Sequence, residues 1–182
     1  MSKKINIWII IKDHLNTLRD HENGKISKLD ILTFLVCPFL IVVSLVVYQY
    51  AINKELVSLI VNFASIVTSL LISVLVLIYD QYSKIEVSNN IQKLKKEVLE
   101  QLFSNVSFTI LMGIITVIFC LLLNSFPVDK NGFYQTVNIN IKEYTTTLSI
   151  ILFTPTILFF LLEMILTLFM ALKRLHIVFF VK

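Results

Sequence analysis

The chain has 182 residues, of which 57% are hydrophobic and 15% charged, with mean hydropathy +0.83 and a net charge of +4. A soluble domain carries about 45–50% apolar and about 25% charged residues, so these figures exclude an ordinary water-soluble globular protein. The surplus lies in long runs, the pattern of a membrane protein, and three Gly and three Pro leave little chain built for loops.

Residues 1–28 come first and hold Lys3, Lys4, Lys12, Arg19, Lys25 and Lys28. Ile5, Trp8, Ile9, Leu15 and Leu18 fall at helical spacing, with Asn23-Gly24 as the stop. This reads as a cytoplasmic amphipathic helix. It either lies at headgroup level with Trp8 as its anchor or docks on another cytoplasmic helix. Residues 29–126 read as three membrane spans. The first runs from Leu29 to Tyr48 and contains Pro38, which neighbouring helices can accommodate in a membrane. The turn Ile52-Asn53-Lys54-Glu55 leads into the second, Leu56 to Tyr79. A turn this short makes spans one and two expected antiparallel neighbours.

Residues 83–104 form the one substantial polar segment. Val87, Ile91, Leu94, Val98 and Leu102 mark an apolar stripe, and Ser88-Asn89-Asn90 marks a turn. The expectation is a cytoplasmic helical hairpin extension between spans two and three, with the third span running from Val106 to Phe126. Residues 127–145 form an external loop. Its Asn131-Gly132 turn signal and the alternation over residues 136–141 suggest a small β-hairpin, with a disordered loop as the alternative. Residues 146–182 comprise a fourth span, Thr146 to Leu172, and a short cytoplasmic tail opening with Lys173-Arg174. The fold class expected is an all-α membrane protein with four transmembrane helices.

Thirteen of the sixteen Lys and Arg residues fall in residues 1–28, in the segment after span two and in the tail. The positive-inside rule then places both termini in the cytoplasm. An even number of spans demands the same.

Each span carries small or polar residues at helical spacing. In span two they are Ser58, Asn62, Ser65, Ser69 and Ser73, ending in Asp80; in span three Asn105, Thr109, Gly113, Thr116, Cys120 and Asn124; in span four Ser149, Thr156, Glu163 and Thr167. Such stripes either let helices pack closely in lipid or line a water-filled path. The candidate pore-lining or gating residues are Asn62, Ser65, Ser69, Ser73, Asp80, Thr156, Glu163 and Thr167. Glu163 lies ten residues before Lys173, about 15 Å along the helix and so near the bilayer centre. An intramembrane acid is a functional candidate by default. It either hydrogen-bonds Thr167 or hydroxyls of spans two and three, or joins a ring of copies around a pore. Pro155, eight residues earlier, is the expected hinge. Four spans alone are too few to enclose a pore and bury every stripe, which implies a homo-oligomer, a tetramer being favoured.

Other chemistry is missing from the sequence. It has no phosphate-cradling glycine loop, no zinc spacing and no nucleophile elbow, so it does not read as an enzyme and no metal or cofactor is expected. Cys37 and Cys120 sit in apolar runs and read as small buried hydrophobes. His14, His21 and His176 lack ligand spacing.

The runs KEVLEQLFSNVSFTILMGIITVIFCLLL and LTLFMALKRLHIVFF resemble small four-span membrane proteins of bacterial anti-phage defence systems. The membrane effector of Hailong-like systems is the first such type and the membrane protein of Kiwa-type systems the second. The resemblance implies an oligomeric channel held shut by a cytoplasmic nucleotidyltransferase-like partner and an oligonucleotide signal, whose opening stops growth in abortive infection. Lys93, Lys95, Lys96, Lys173 and Arg174 would then be phosphate contacts; the alternative for these lysines is a solvated charge belt. A non-conducting membrane anchor for a cytoplasmic partner is the other reading of the whole chain.

Overall fold

A computed structural model describes residues 6–18, 32–86, 88–136, 138–141 and 144–180. The Asn23-Gly24 stop, the start of the first span at Leu29, Val87 and the basic residues Lys3, Lys4, Arg19, Lys25, Lys28, Lys142 and Lys182 lie outside the described residues. The described chain is dominated by helix: α1 (Ile7–Thr17), α2 (Cys37–Val47), α3 (Lys54–Lys84), α4 (Asn90–Asn124) and α5 (Thr154–Phe180). Three helical stretches, Lys54–Lys84, Asn90–Asn124 and Ser149–Val178, are long and apolar enough to cross a membrane. The fourth apolar stretch, Leu32–Val47, is shorter.

Two asparagines start the long helices. Asn53 accepts from Leu56 N at 2.9 Å and Asn89 from Gln92 N at 2.8 Å, so each satisfies an N–H that the helix itself leaves unpaired. Residues 85–89 join α3 to α4 as a helical hairpin, tied by Tyr82 donating to Glu100 at 2.7 Å and by Lys96 lying 4.8 Å from the Tyr82 ring centroid. Its apolar stripe is only half used: Leu102 is buried, but Ile91 and Leu94 are exposed.

Both membrane prolines follow one turn of π-helix, Leu32–Val36 before Pro38 and Ser149–Phe153 before Pro155. A proline ring clashes with the carbonyl four residues back, and the wider π turn relieves that clash. Pro155 thus marks the junction of the π turn with α5. The fourth span also differs from expectation at both ends. Thr146 and Thr147 belong to a strand, and helix continues past Lys173-Arg174 to Phe180, where a short tail was expected.

α4 is the central helix: α3, α5 and α1 all pack on it, and α2 packs on α5. The expected pairing of spans one and two is therefore not seen, because the chain crosses the end of the bundle after α2. Gln49 adopts a positive φ of 52°, and Ile52, fully buried, donates its backbone N–H to Thr154 Oγ1 at 3.3 Å. That bond seats the connection over the start of α5. The loop after α4 closes the same end. Asp129 Oδ1 accepts from Asn131 N at 2.9 Å and Phe133 N at 2.8 Å around Gly132, whose φ of +84° suits glycine. An antiparallel pair, β1 (Asn138–Ile141) and β2 (Tyr144–Thr147), leads into the π turn, with Asn138 opposite Thr147.

Candidate functional site

The three polar stripes do not share one surface. On α4, Asn105, Thr109, Thr116 and Cys120 are fully buried, and on α5 Glu163 and Thr167 are buried with them. These two stripes face the bundle interior, where small residues let helices approach closely. The limiting contact is at Gly113: a Cβ there would collide with the Thr68 hydroxyl of α3 and approach Met164 Sδ of α5 to 3.1 Å. Thr109 and Thr116 turn their hydroxyls back onto the carbonyls of Asn105 and Met112, each at 2.8 Å.

Glu163 is 6% exposed, and its Oε1 has no hydrogen-bond partner among the described residues. Thr167 Oγ1 and Thr68 Oγ1 are also buried without partners. Among the described residues neither alternative within one chain, a bond from Oε1 to Thr167 or to hydroxyls of the neighbouring helices, is made. Thr156, about two turns before Glu163, is half-buried, and Pro155 is buried.

The α3 stripe is different. Ser58, Asn62, Ser65, Ser69 and Ser73 are all exposed. The packed face of α3 is Val57, Ile60, Ala64, Thr68, Leu71 and Ile78. At 100° per residue the polar stripe lies roughly 150° around the helix from that face. The flank between them is apolar and exposed, at Leu59, Phe63, Ile66 and Leu70. Unlike Thr109 and Thr116, the five stripe side chains have no hydrogen-bond partner among the described residues. At the hairpin end Asp80 is half-buried and ion-paired with Lys84 at 2.6 Å.

The basic residues are dispersed. Lys93 and Lys173 are exposed, Lys95 is half-buried, and Lys96 is turned toward Tyr82. Arg174 instead ties three helices together, donating to Thr17 O at 2.7 Å and Gln101 O at 3.2 Å. A cation on the last carbonyls of α1 also complements the negative end of that helix. Cys37 is exposed, against expectation, because only Pro38 and Val42 of α2 are buried. Comparison of the chain with protein-family models, with curated proteins and with solved structures gives no match.

Sequence reasoning missed His14. It is 2% exposed, stacks on Phe108 with ring centroids 3.8 Å apart and planes 6° from parallel, and places Nδ1 3.0 Å from Asn105 Oδ1. Thr17 Oγ1 lies 2.9 Å from the same oxygen. Burial pushes the His14 pKa down to about 4, the Asn105 bond opposes the fall, and the nearby Arg174 cation adds to it. The docked face of α1 is thus the His14 face, and Trp8, 65% exposed, points away from the bundle with Ile9 and Leu15. The available signal was the pair His14 and Thr17, three apart on one face, with Asn105 at the entry to an apolar span.

Proposed function

We propose that the protein is a homo-oligomeric membrane channel whose α3 helices face one another across a polar path. The observation that carries this reading is the position of Ser58, Asn62, Ser65, Ser69 and Ser73 on the exposed side of a membrane-length helix. No water is present in a bilayer core to satisfy an asparagine amide or four hydroxyls, and each such group left in hydrocarbon is costly. A partner copy or a water column on that face removes the cost. The buried stripes of α4 and α5 already have packing partners, so α3 is left to make the assembly.

On this reading Leu32–Val47 is the fourth membrane segment, both termini are cytoplasmic, and the oligomer is a tetramer. Gating comes from the hairpin end, through α1 and the end of α5. The defence-effector resemblance supplies the physiological setting: opening on a cytoplasmic signal, with a nucleotidyltransferase-like partner and an oligonucleotide as the controlling species. The exposed Ile91 and Leu94 of the hairpin favour a protein contact there, which also serves a non-conducting anchor.

Single-channel recording decides between them. With Cys37 replaced by Ser and the buried Cys120 kept, Ser69→Cys is treated with a bulky cationic thiol reagent. The channel reading expects most of the unitary current to be blocked. Unchanged current after complete labelling removes α3 from the path, and a chain that never conducts leaves the anchor.

A further inference from the structure

We infer that α1 is a detachable latch whose hold on α4 is released when His14 takes up a proton from the hairpin side of the membrane. Among the described residues, besides the packing of Ile10 and Ile11 and the burial of Leu18, α1 is held by a polar cluster: His14 to Asn105, the Thr17 hydroxyl shared between Asn105 and the His14 carbonyl, and Arg174 to the Thr17 carbonyl. The Asn105 oxygen can only accept, so the hydrogen it shares with His14 sits on Nδ1 and the free lone pair is on Nε2. An arriving proton binds Nε2 and leaves a cation between Phe108 and the bundle.

The surroundings do not suit that cation. From α4 it faces Asn105 and Phe108, both neutral, and from α5 it faces Arg174, a like charge. On α1 itself Lys12 and Asp13 are sequence neighbours, and Asp13 lines a cleft beside His14 together with Glu100 of α4. No carboxylate bonds to His14 among the described residues. The face of Phe108 offers a cation some compensation, against which stand burial and the like charge of Arg174, which lower the His14 pKa.

The cleft reaches the cluster at Thr17, and on this proposal it is the proton's route. It is an open cleft of about 450 Å³ between α1 and α4, lined by Asp13, Asn16, Thr17 and Ser104 and by the apolar Ile10 and Phe103. Asp13 precedes His14 in sequence, Thr17 follows it by three residues, and Ser104 precedes Asn105. The cluster is also not fully satisfied. Among the described residues Asn105 Nδ2 and Ser104 Oγ are buried without partners.

The sign follows from linkage. His14 is protonated more readily when α1 is free, near its ordinary value of 6.5, than when docked, near about 4. Docking is therefore fully favoured above pH 6.5 and weakens as pH falls toward about 4, by on the order of a hundredfold in the docking equilibrium.

Pulsed electron–electron distances read docking directly, in nanodiscs, on the full chain. Nitroxides go on Leu15→Cys and Lys93→Cys in the Cys37→Ser background, diluted with unlabelled chain. The wild-type sequence at the other positions should give a narrow distribution at pH 8 that broadens between pH 6.5 and about 4. His14→Gln should stay narrow throughout. Asn105→Asp supplies the missing counter-ion, so release should move at least one pH unit lower, the opposite of what a merely damaged interface does. A distribution that stays narrow down to pH 4 overturns the latch. So does His14→Gln releasing at the same pH, or Asn105→Asp leaving the transition where it was. Because conduction is not read, the latch and the channel stand or fall separately.

Discussion

Gly113 sits where three helices meet, and its lack of a side chain is used from both sides. Alanine favours helix over glycine by about 1 kcal/mol, so Gly113→Ala would stabilise an isolated α4. In the bundle the new methyl meets the Thr68 hydroxyl and Met164 Sδ. Overpacking costs typically 1–3 kcal/mol, and here it wins. Gly113→Ala should lower the melting temperature in detergent, and Thr68→Ala in the same chain should restore most of the loss. Additive losses in the double variant would show that the contact is not the cause. Glu163 behaves differently. A buried carboxyl oxygen without a partner costs about 1–3 kcal/mol, so Glu163→Leu should raise the melting temperature and Glu163→Gln should change it little. If Glu163→Leu is instead destabilised, the carboxyl finds its partner in a neighbouring copy, and the acid belongs to the assembly.

Helix starts, by contrast, follow the sequence closely. Asn53 and Asn89 are caps with a visible purpose, and Asn89→Ala should cost about 1 kcal/mol. The loss should appear as faster hydrogen exchange over residues 90–96, with the membrane part of α4 unaffected. Length and apolar content also made α3, α4 and α5 legible, together with the hairpin after Asp80. Three features were not. α2 packs on α5, and the connection after it is tied down by Ile52 N bonding Thr154, a contact spanning 102 residues that no local pattern contains. The end of α5 looked like a tail because Lys173-Arg174 marks a membrane boundary, and a boundary in polarity need not end a helix. α1 exposes Trp8, Ile9 and Leu15 of the face that periodicity would bury, and a stacked, hydrogen-bonded histidine faces the bundle instead. Among site residues, polarity identified the stripes, but only packing shows that two of them turn inward and one outward.

At the scale of the assembly, the outward stripe is the surface to be tested. Asp80 closes it at one end, and Ser58, Asn62, Ser65, Ser69 and Ser73 hold one strip over about four turns. Only a closed ring lets every copy present this same helix to a shared axis, because an open chain of contacts would leave end copies with amides in lipid. Each α3 would then approach its counterparts most closely along the strip and be further from them on the apolar flank, about 90° around the helix. Two variants separate these geometries. With Cys37 replaced by Ser, Ser69→Cys and Leu70→Cys each place one reactive thiol on an exposed position of adjacent residues. Mild oxidation in native membranes should cross-link Ser69→Cys into covalent dimers in high yield and Leu70→Cys poorly. A bifunctional amine reagent acting on surface lysines should extend the ladder to four copies and stop. Equal yields at the two positions would mean collisions between free copies, and a preference for Leu70→Cys would place the apolar flank at the interface and leave the polar strip unexplained. Asn62→Leu should weaken the ring without unfolding the chain, since no described contact within one copy uses that amide. The ladder should therefore shorten while the melting temperature of the single chain holds.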